Sequence, residues 1–465
     1  MKRAAFLALC AFVPLLAGSA AATNLDVTSE YRIRALDYKN ITYGPPGNDH
    51  SFLSQSARLG MAFNDIALGE VGGVPESMDI VLRMRALGVS GSTAPLAAPF
   101  DRAAAQYPST DFTPFFEHAY VDITNLAGFN WKLTVGRQPY QMGSGLLLDD
   151  NGAGLMGFRA KTSLPWWGMK TEAFVFQANT RNTTFGPNNL TLIGATLELP
   201  TEGTWQLHQL IERDKTEQFA AVNGCPVINP ARTGCLVGRA TKWFSSIRYQ
   251  LNWGPMVFDG EAAMQKGAAN PTGVNPIFNH ITYNGNAQIV RAKWRQTFYT
   301  RKSTGQNIRG IARLSVARGS GDNPATPTTD EAFFPSHGMR YDGLERVGFG
   351  ELYAATPYDA FGGASTATAS GLPRGHSGII SVGMGITPPA WHGIVLDVDY
   401  FVYQAERSAF GFARTLGTEV DLRFRYDFKD RLQIHLTSAW FEAGAALAST
   451  KPSSRRYMLE VSSRF

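Results

Sequence analysis

The sequence predicts an all-β protein, a single antiparallel transmembrane β-barrel of about 18 strands, with 16 as the alternative count, behind an N-terminal signal peptide. Three observations predict this. A secretory signal leads the chain, apolar and polar residues alternate along most of its remaining length, and the last residue is the aromatic Phe465.

The signal comes first. Lys2 and Arg3 form a short positive region, Ala4 to Leu16 an apolar run, and Ala20, Ala21 and Ala22 a small-residue cleavage site, which divides the chain into a signal, 1–22, and a barrel, 23–465. The apolar run is shorter than the roughly 18 to 20 residues that span a bilayer as a helix. Loss of Lys2 and Arg3 leaves 41 basic against 38 acidic residues, a balance of +3. So mild a surplus gives no support to a nucleic-acid surface, where basic residues concentrate. Cys10 leaves with the signal. Cys225 and Cys235 remain, flanking a Pro-, Asn- and Gly-containing segment; in an exported protein such a pair reads as a loop disulfide, and two thiols without a nearby histidine make an incomplete zinc shell.

The strands come next. Membrane-barrel strands cross in about 9 to 11 tilted residues, with one parity toward lipid and the other toward a wet lumen. In the last segment Tyr457, Leu459, Val461 and Phe465 share one parity, and Arg456, Glu460, Ser462 and Arg464 the other. The same pattern recurs in Leu422, Phe424 and Tyr426; in Leu432, Ile434 and Leu436; in Ile394, Leu396, Val398 and Tyr400; in Ile80, Leu82 and Met84; and in Val290, Ala292 and Trp294. Tyr31, Trp131, Trp166, Trp167, Trp243, Trp253, Trp391 and Tyr426 sit near strand ends, where an interfacial girdle places aromatics. Asn252 to Pro255 and Phe428 to Asp430 read as tight turns. The polar stretches 89–111, 215–237, 267–284, 319–345 and 359–376 read as outer loops.

The lumen parity carries the candidate site. Its bases include Arg83, Arg85, Arg159, Lys161, Arg291, Lys293, Arg295, Arg309, Arg313, Arg423 and Arg425. Its acids include Asp79, Asp259, Glu261, Asp397, Asp399, Glu419, Asp421 and Asp427, with Asp397, Asp399, Glu419 and Asp421 as the expected partners of the bases. Three bases fall on the segment 291–295. Rings of Arg or Lys in a pore favour anions, and guanidinium matches carboxylate geometry bidentately. Cross-strand Arg–Asp ladders that merely brace the wall are the competing reading. Arg137 breaks the parity set by Trp131, Leu133 and Val135, and a bulge at Gly136 would turn it inward.

Enzyme chemistry finds no foothold. The eight histidines show no His-Glu-x-x-His spacing, and Gly375-His376-Ser377-Gly378 falls short of a nucleophile elbow. No metal or cofactor is expected, and Asp149-Asp150 reads as a solvated turn rather than a cation site.

Three blocks resemble the alginate-export family of outer-membrane porins. They are His118 to Asp122 with Leu133 to Gln138; Ala317 to Asp322 with Phe333 to Pro335 and Tyr341 to Gly343; and Leu416 to Asp421 with Tyr426 and Phe441 to Gly444. The resemblance implies an 18-stranded barrel in the outer membrane of a Gram-negative bacterium, with a basic constriction that passes an acidic, uronate-type polysaccharide. Small organic acids are the other anionic cargo, and the expected partners are membrane lipid and lipopolysaccharide, the anionic solute, and the barrel-assembly machinery through Phe465. A nutrient-uptake porin without anion selectivity and a barrel sheathing a partner protein stay open as alternatives.

Overall fold

The computed structural model describes residues 24–40, 49–91, 104, 107–165, 168–178, 190–214, 238–271, 280–301, 306–323, 325–326, 328–346, 348–353, 372, 376–428, 431–447 and 453–465. The signal, the Trp166-Trp167 pair and the proposed Cys225–Cys235 disulfide lie outside these residues.

Eighteen strands close into one antiparallel barrel. They are β1 (Asn24–Lys39), β2 (His50–Val71), β3 (Val74–Gly91), β4 (Phe115–Thr124), β5 (Trp131–Gln138), β6 (Leu155–Ser163), β7 (Lys170–Ala178), β8 (Leu190–Pro200) and β9 (Thr204–Asp214). The second half comprises β10 (Gly238–Trp253), β11 (Met256–Pro271), β12 (Ile281–Arg301), β13 (Gln306–Gly319), β14 (His376–Thr387), β15 (Ile394–Ser408), β16 (Thr415–Phe428), β17 (Leu432–Ala443) and β18 (Ser454–Arg464). Each strand pairs with its neighbours in sequence, and β1 pairs with β18, which removes both free edges. At the seam the Phe465 N–H donates to the Ser29 carbonyl, and the Ser29 N–H to the Phe465 carbonyl, at 2.9 and 2.8 Å.

Short connections lie at the end that holds both termini. One is the Gly254-Pro255 hairpin, where Gly254 takes φ 54° and Trp253 pairs with Met256. Long connections lie at the other end. The expected loop 267–284 is shorter than its polar composition suggests: β11 runs on to Pro271 and β12 begins at Ile281, because ladder pairing continues above the apolar band.

Lipid-facing parity follows the alternation. Leu436, Tyr457, Leu459, Val290, Trp294, Leu314, Met384 and Ile386 all stand out from the wall, and Trp131, Trp253 and Trp391 mark the short-turn end. The lumen parity departs from expectation in the other half of the barrel. Phe174, Phe176, Phe244, Phe401, Tyr403 and Phe441 point inward and are buried. They are covered by two loops that fold into the lumen, one between β5 and β6 and one between β13 and β14, so this part of the interior is a packed core rather than a wet wall. Tyr140 of the first loop packs on Phe174 and Phe176, at 4.6 and 5.0 Å between ring centres, and Met142, Leu146, Leu147 and Leu148 are buried in the same cluster. Tyr353 of the second stacks on Phe441 at 4.7 Å, and Phe333 meets Phe244 edge-on at 6.4 Å. Thr329–Asp330 of this second loop also pairs in parallel with β12.

Candidate functional site

The two inward loops are tied to each other across the lumen by backbone. The His337 N–H donates to the Leu147 carbonyl at 3.0 Å, the Asp149 N–H to the His337 carbonyl at 2.8 Å, and the Met339 N–H to the Gly145 carbonyl at 2.8 Å. Asn151 completes the clasp from a left-handed backbone, φ 51°, which its short polar side chain tolerates. Its Oδ1 accepts from the Arg340 and Tyr341 N–H groups at 2.5 and 3.0 Å, and its Nδ2 donates to the Gly338 carbonyl at 3.2 Å. A third segment joins at Tyr107, whose hydroxyl donates to the Asn151 carbonyl and accepts from the Gly343 N–H, at 2.8 and 2.9 Å.

Asp149 is therefore no solvated turn. Closure of the clasp buries it, and burial, reinforced by repulsion from Asp150, pushes its carboxyl up to about 7. Burial likewise pulls the His337 imidazole down to about 4, with Arg340 adding to the effect. The two act on stability with opposite signs. Folded Asp149 keeps a proton that the unfolded chain gives up near 3.8, so its contribution falls as pH rises from about 4 to about 7. Folded His337 refuses a proton that the unfolded chain takes up near 6.5, so its contribution grows as pH rises from about 4 to about 6.5. In the wild type the two slopes oppose each other. Asp149→Asn is expected to expose the histidine alone: its thermal midpoint should climb between pH 4 and 6.5 more steeply than that of the wild type.

Acidic and amide side chains of the wall hold the loops from outside. Glu261 accepts from the Ser144 N–H at 2.8 Å and from Ser246 Oγ at 2.9 Å, and Gln265 accepts from the Phe334 N–H at 2.7 Å. Glu419 accepts from the Leu352 and Tyr353 N–H groups at 2.7 and 2.8 Å, and Asp421 from the Glu351 N–H at 3.2 Å. Glu419 and Asp421, expected as partners of lumen bases, thus carry loop backbone.

The bases sort into three groups. The first surrounds the clasp. On β3, Arg85 is fully buried and Arg83 partly exposed. Register sets Arg85 directly opposite Arg58 of β2, a like-charge pairing that needs an acid between. A bulge in β4 supplies it. The register slips between Phe116 and His118, so Glu117 and His118 both face inward, and Glu117 meets Arg58, Arg83 and Arg85 at 3.1, 3.4 and 3.2 Å. Asp342, from the second inward loop, meets Arg32 and Arg34 of β1 at 2.6 and 3.9 Å, and Arg58 and Arg85 at 3.4 and 3.1 Å. Those guanidinium groups hold the Asp342 carboxyl well below the usual range.

The second group is a true cross-strand ladder. Arg313 bridges Asp397 and Asp399 at 2.8 and 3.0 Å, and Arg423 pairs with Asp399 and with Glu351 of the second loop, the latter at 3.1 Å. Arg456 also binds Glu351. Gly385 makes room here, since a Cβ would collide with the Asp399 carboxylate. Lys161 pairs with Glu172 at 2.9 Å, Arg425 with Asp427 at 3.4 Å, and Arg159 lies over the Tyr140 ring at 5.8 Å.

The third group is Arg291, Lys293, Arg295 and Arg309, on the terminal side of the clasp. None of the four forms an ion pair with a described residue. Arg291 and Lys293 line a cavity of about 220 Å³ together with Arg313, Asp399, Phe349 and Arg423.

Arg137 is the correction. Register runs unbroken through Gly136, so Arg137 stays on the outward parity opposite Ala119 and Met156, and its guanidinium donates to the Ala153 carbonyl at 2.8 Å. Gly136 is there for close approach, not for a bulge. At φ 123° its Cβ would sit 2.4 Å from the Ala119 carbonyl oxygen.

Sequence reading passed over Arg32, Arg34, Arg58, Glu117, Asp342 and Glu351. Arg32 and Arg34 were within reach, because Tyr31, Ile33 and Ala35 set the parity of β1. Asp342 and Glu351 were not, because a loop has no parity to read.

The sequence matches no family model and no curated protein. The fold matches solved outer-membrane channels along nearly its whole length. OccK9 (OpdG) of Pseudomonas aeruginosa is 10% identical over 95% of this chain and 99% of that one, with a TM-score of 0.55. A BenF-like porin from Pseudomonas fluorescens Pf-5 is 10% identical over 95% and 99%, at 0.53. OccK2 (OpdF) of Pseudomonas aeruginosa, solved in complex with glucuronate, is 11% identical over 95% and 98%, at 0.52. The architecture is that of an 18-stranded outer-membrane β-barrel.

Proposed function

We propose that this chain is an outer-membrane channel for small anionic organic solutes. The observation that carries the reading is the unpaired basic series Arg291, Lys293, Arg295 and Arg309 on one lumen wall beside the constriction. Bases already neutralised by wall acids contribute little field, whereas Lys293, Arg295 and Arg309, with Arg291 facing an Asp259 that is already bound to Arg248, raise the local concentration of anions. The glucuronate held by OccK2 is a solute of this class, a single ring with one carboxylate.

The acidic polysaccharide implied by the resemblance is less well supported than a small acid. Two loops joined by backbone hydrogen bonds cross the lumen, and a polymer would have to thread past the clasp. The same loops occupy space that a sheathed partner protein would need.

The test is the reversal potential of single channels in a potassium chloride gradient across a planar bilayer. An anion-preferring potential is expected. A cation-preferring or silent barrel overturns the proposal, and an unselective one favours a general uptake porin. Liposome swelling with glucuronate against a uronate oligomer separates small-acid from polymer passage.

A further inference from the structure

The arginine cluster around Asp342 is built unlike the rest of the wall. The other loop carboxylate that meets wall bases, Glu351, binds two arginines, Arg423 and Arg456; here four guanidinium groups from three adjacent strands converge on one loop carboxylate. Arg85 has no exposed side chain at all, while Asp342 keeps 34% of its own. The bases are thus fixed in the wall, and the acid sits on the wet side of them.

Each arginine except Arg32 has a second acid. Arg34 binds Glu460 at 2.5 Å, Arg58 binds Glu30 and Glu117, and Arg85 binds Glu117. For Arg32, Asp342 is the only acid within ion-pair distance among the described residues. With Arg83 and Arg464 included, six bases face Glu30, Glu117 and Glu460 once Asp342 is set aside, so the pocket without it keeps a surplus of three positive charges. A cavity of about 660 Å³ opens directly onto Arg58 and Arg83, bordered by Glu30, His118, Tyr120 and Arg464.

Resting on the reading of an anion channel, we infer that Arg32, Arg34, Arg58 and Arg85 form a binding site for a single carboxylate, occupied at rest by the chain's own Asp342 and open to exchange with the carboxylate of a small solute. Exchange conserves charge: one carboxylate leaves the guanidinium groups and another takes its place, with no proton moved. Guanidinium groups suit this because their forks accept any planar carboxylate in the same way. The exchange is also coupled to the constriction. Asp342 belongs to the hairpin Tyr341-Asp342 paired with Glu345-Arg346, which Tyr107 holds through the Gly343 N–H and Asn151 through the Tyr341 N–H. Displacing Asp342 therefore pulls on the clasp, and a solute carboxylate would loosen the loop that otherwise narrows its path.

The test is rescue by a free carboxylate. Asp342→Ala vacates the site, and the probe is sodium acetate, titrated against sodium chloride at constant ionic strength and pH 7 on the full-length folded barrel in detergent. Acetate is expected to raise the thermal midpoint of Asp342→Ala saturably, by about 3 °C near saturation, and to act on the wild type only at higher concentration, where it must first displace Asp342. Adding Arg32→Gln to Asp342→Ala should abolish the saturable response. If Asp342→Ala does not fold, Asp342→Asn keeps the hairpin's shape and undergoes the same titration. Equal acetate responses in wild type and variant, or a response that survives Arg32→Gln, overturn the inference. The readout needs no conduction, so an anion-selective wild type without rescue sinks this inference alone, and saturable rescue in a cation-selective barrel sinks the channel reading alone.

Discussion

Glu117→Ala is expected to destabilise the barrel by about 3–5 kcal/mol, the cost typical of removing one partner from a buried ionic network. Glu117 is almost completely buried and stands between Arg58, Arg83 and Arg85. Its loss leaves Arg58 and Arg85 directly opposed on adjacent strands, with Asp342 as their shared remaining acid apart from Glu30 on Arg58. Replacement by a small apolar residue recovers nothing, because the guanidinium groups stay desolvated. Denaturant unfolding of wild type and variant in the same detergent, followed by tryptophan fluorescence, measures the difference. Arg85→Met added to Glu117→Ala should return part of the loss, since the double change removes a buried charge along with its partner. A loss below about 1 kcal/mol for Glu117→Ala alone would mean that water reaches the cluster and solvates it.

Changing Arg291, Lys293 and Arg295 together to glutamine is expected to lower the chloride-to-potassium permeability ratio on the order of tenfold. Three unit charges about 8 Å from a permeating ion contribute roughly 0.5 kcal/mol each in a water-filled lumen before screening. The sum counts twice in the ratio, since what favours chloride disfavours potassium, and screening over a Debye length of about 8 Å reduces it to roughly 1.2 kcal/mol, close to the 1.4 kcal/mol of a tenfold change. The variant should fold as well as the wild type, because these side chains form no ion pair with a described residue whose loss would leave a buried charge behind. That contrast with Glu117 is the useful part: one change reads stability and the other selectivity. Reversal potentials in a salt gradient give the ratio, and an unchanged ratio would move the selective site to the Arg32–Arg85 cluster. The effect should also shrink at high salt, where screening shortens the reach of each charge to a few ångström.

How far these residues were legible differs from group to group. Arg291, Lys293 and Arg295 could be placed in the lumen from the chain alone, because Val290, Ala292 and Trp294 fix the outward parity of their strand. Arg83 and Arg85 were legible as inward for the same reason. Glu117 was not, because the β4 bulge that turns it inward breaks the count on which parity depends. Arg137 was misplaced by the reverse error, a bulge inferred at a glycine that serves close backbone approach. Glu419 and Asp421 were placed on the correct face, but their partners are loop N–H groups rather than lumen bases.

The sequence by itself determined the barrel and the two faces of its wall, because the pleat has a period of two and each strand meets lipid on one side only, while the choice of 18 strands over 16 was made by the closed ladder. The sequence could not determine which half of the lumen is wet. Phe174, Phe176, Phe244, Tyr403 and Phe441 carry the inward parity yet lie under loops whose own sequence has no period. Only the tertiary structure decided that those loops fold inward and clasp at Asn151, and that Asp342 meets arginines more than 250 positions away. Side-chain direction is a local property of a strand. The pairing of charges across a lumen depends on register, bulges and loop path together, and those are settled only when the barrel closes.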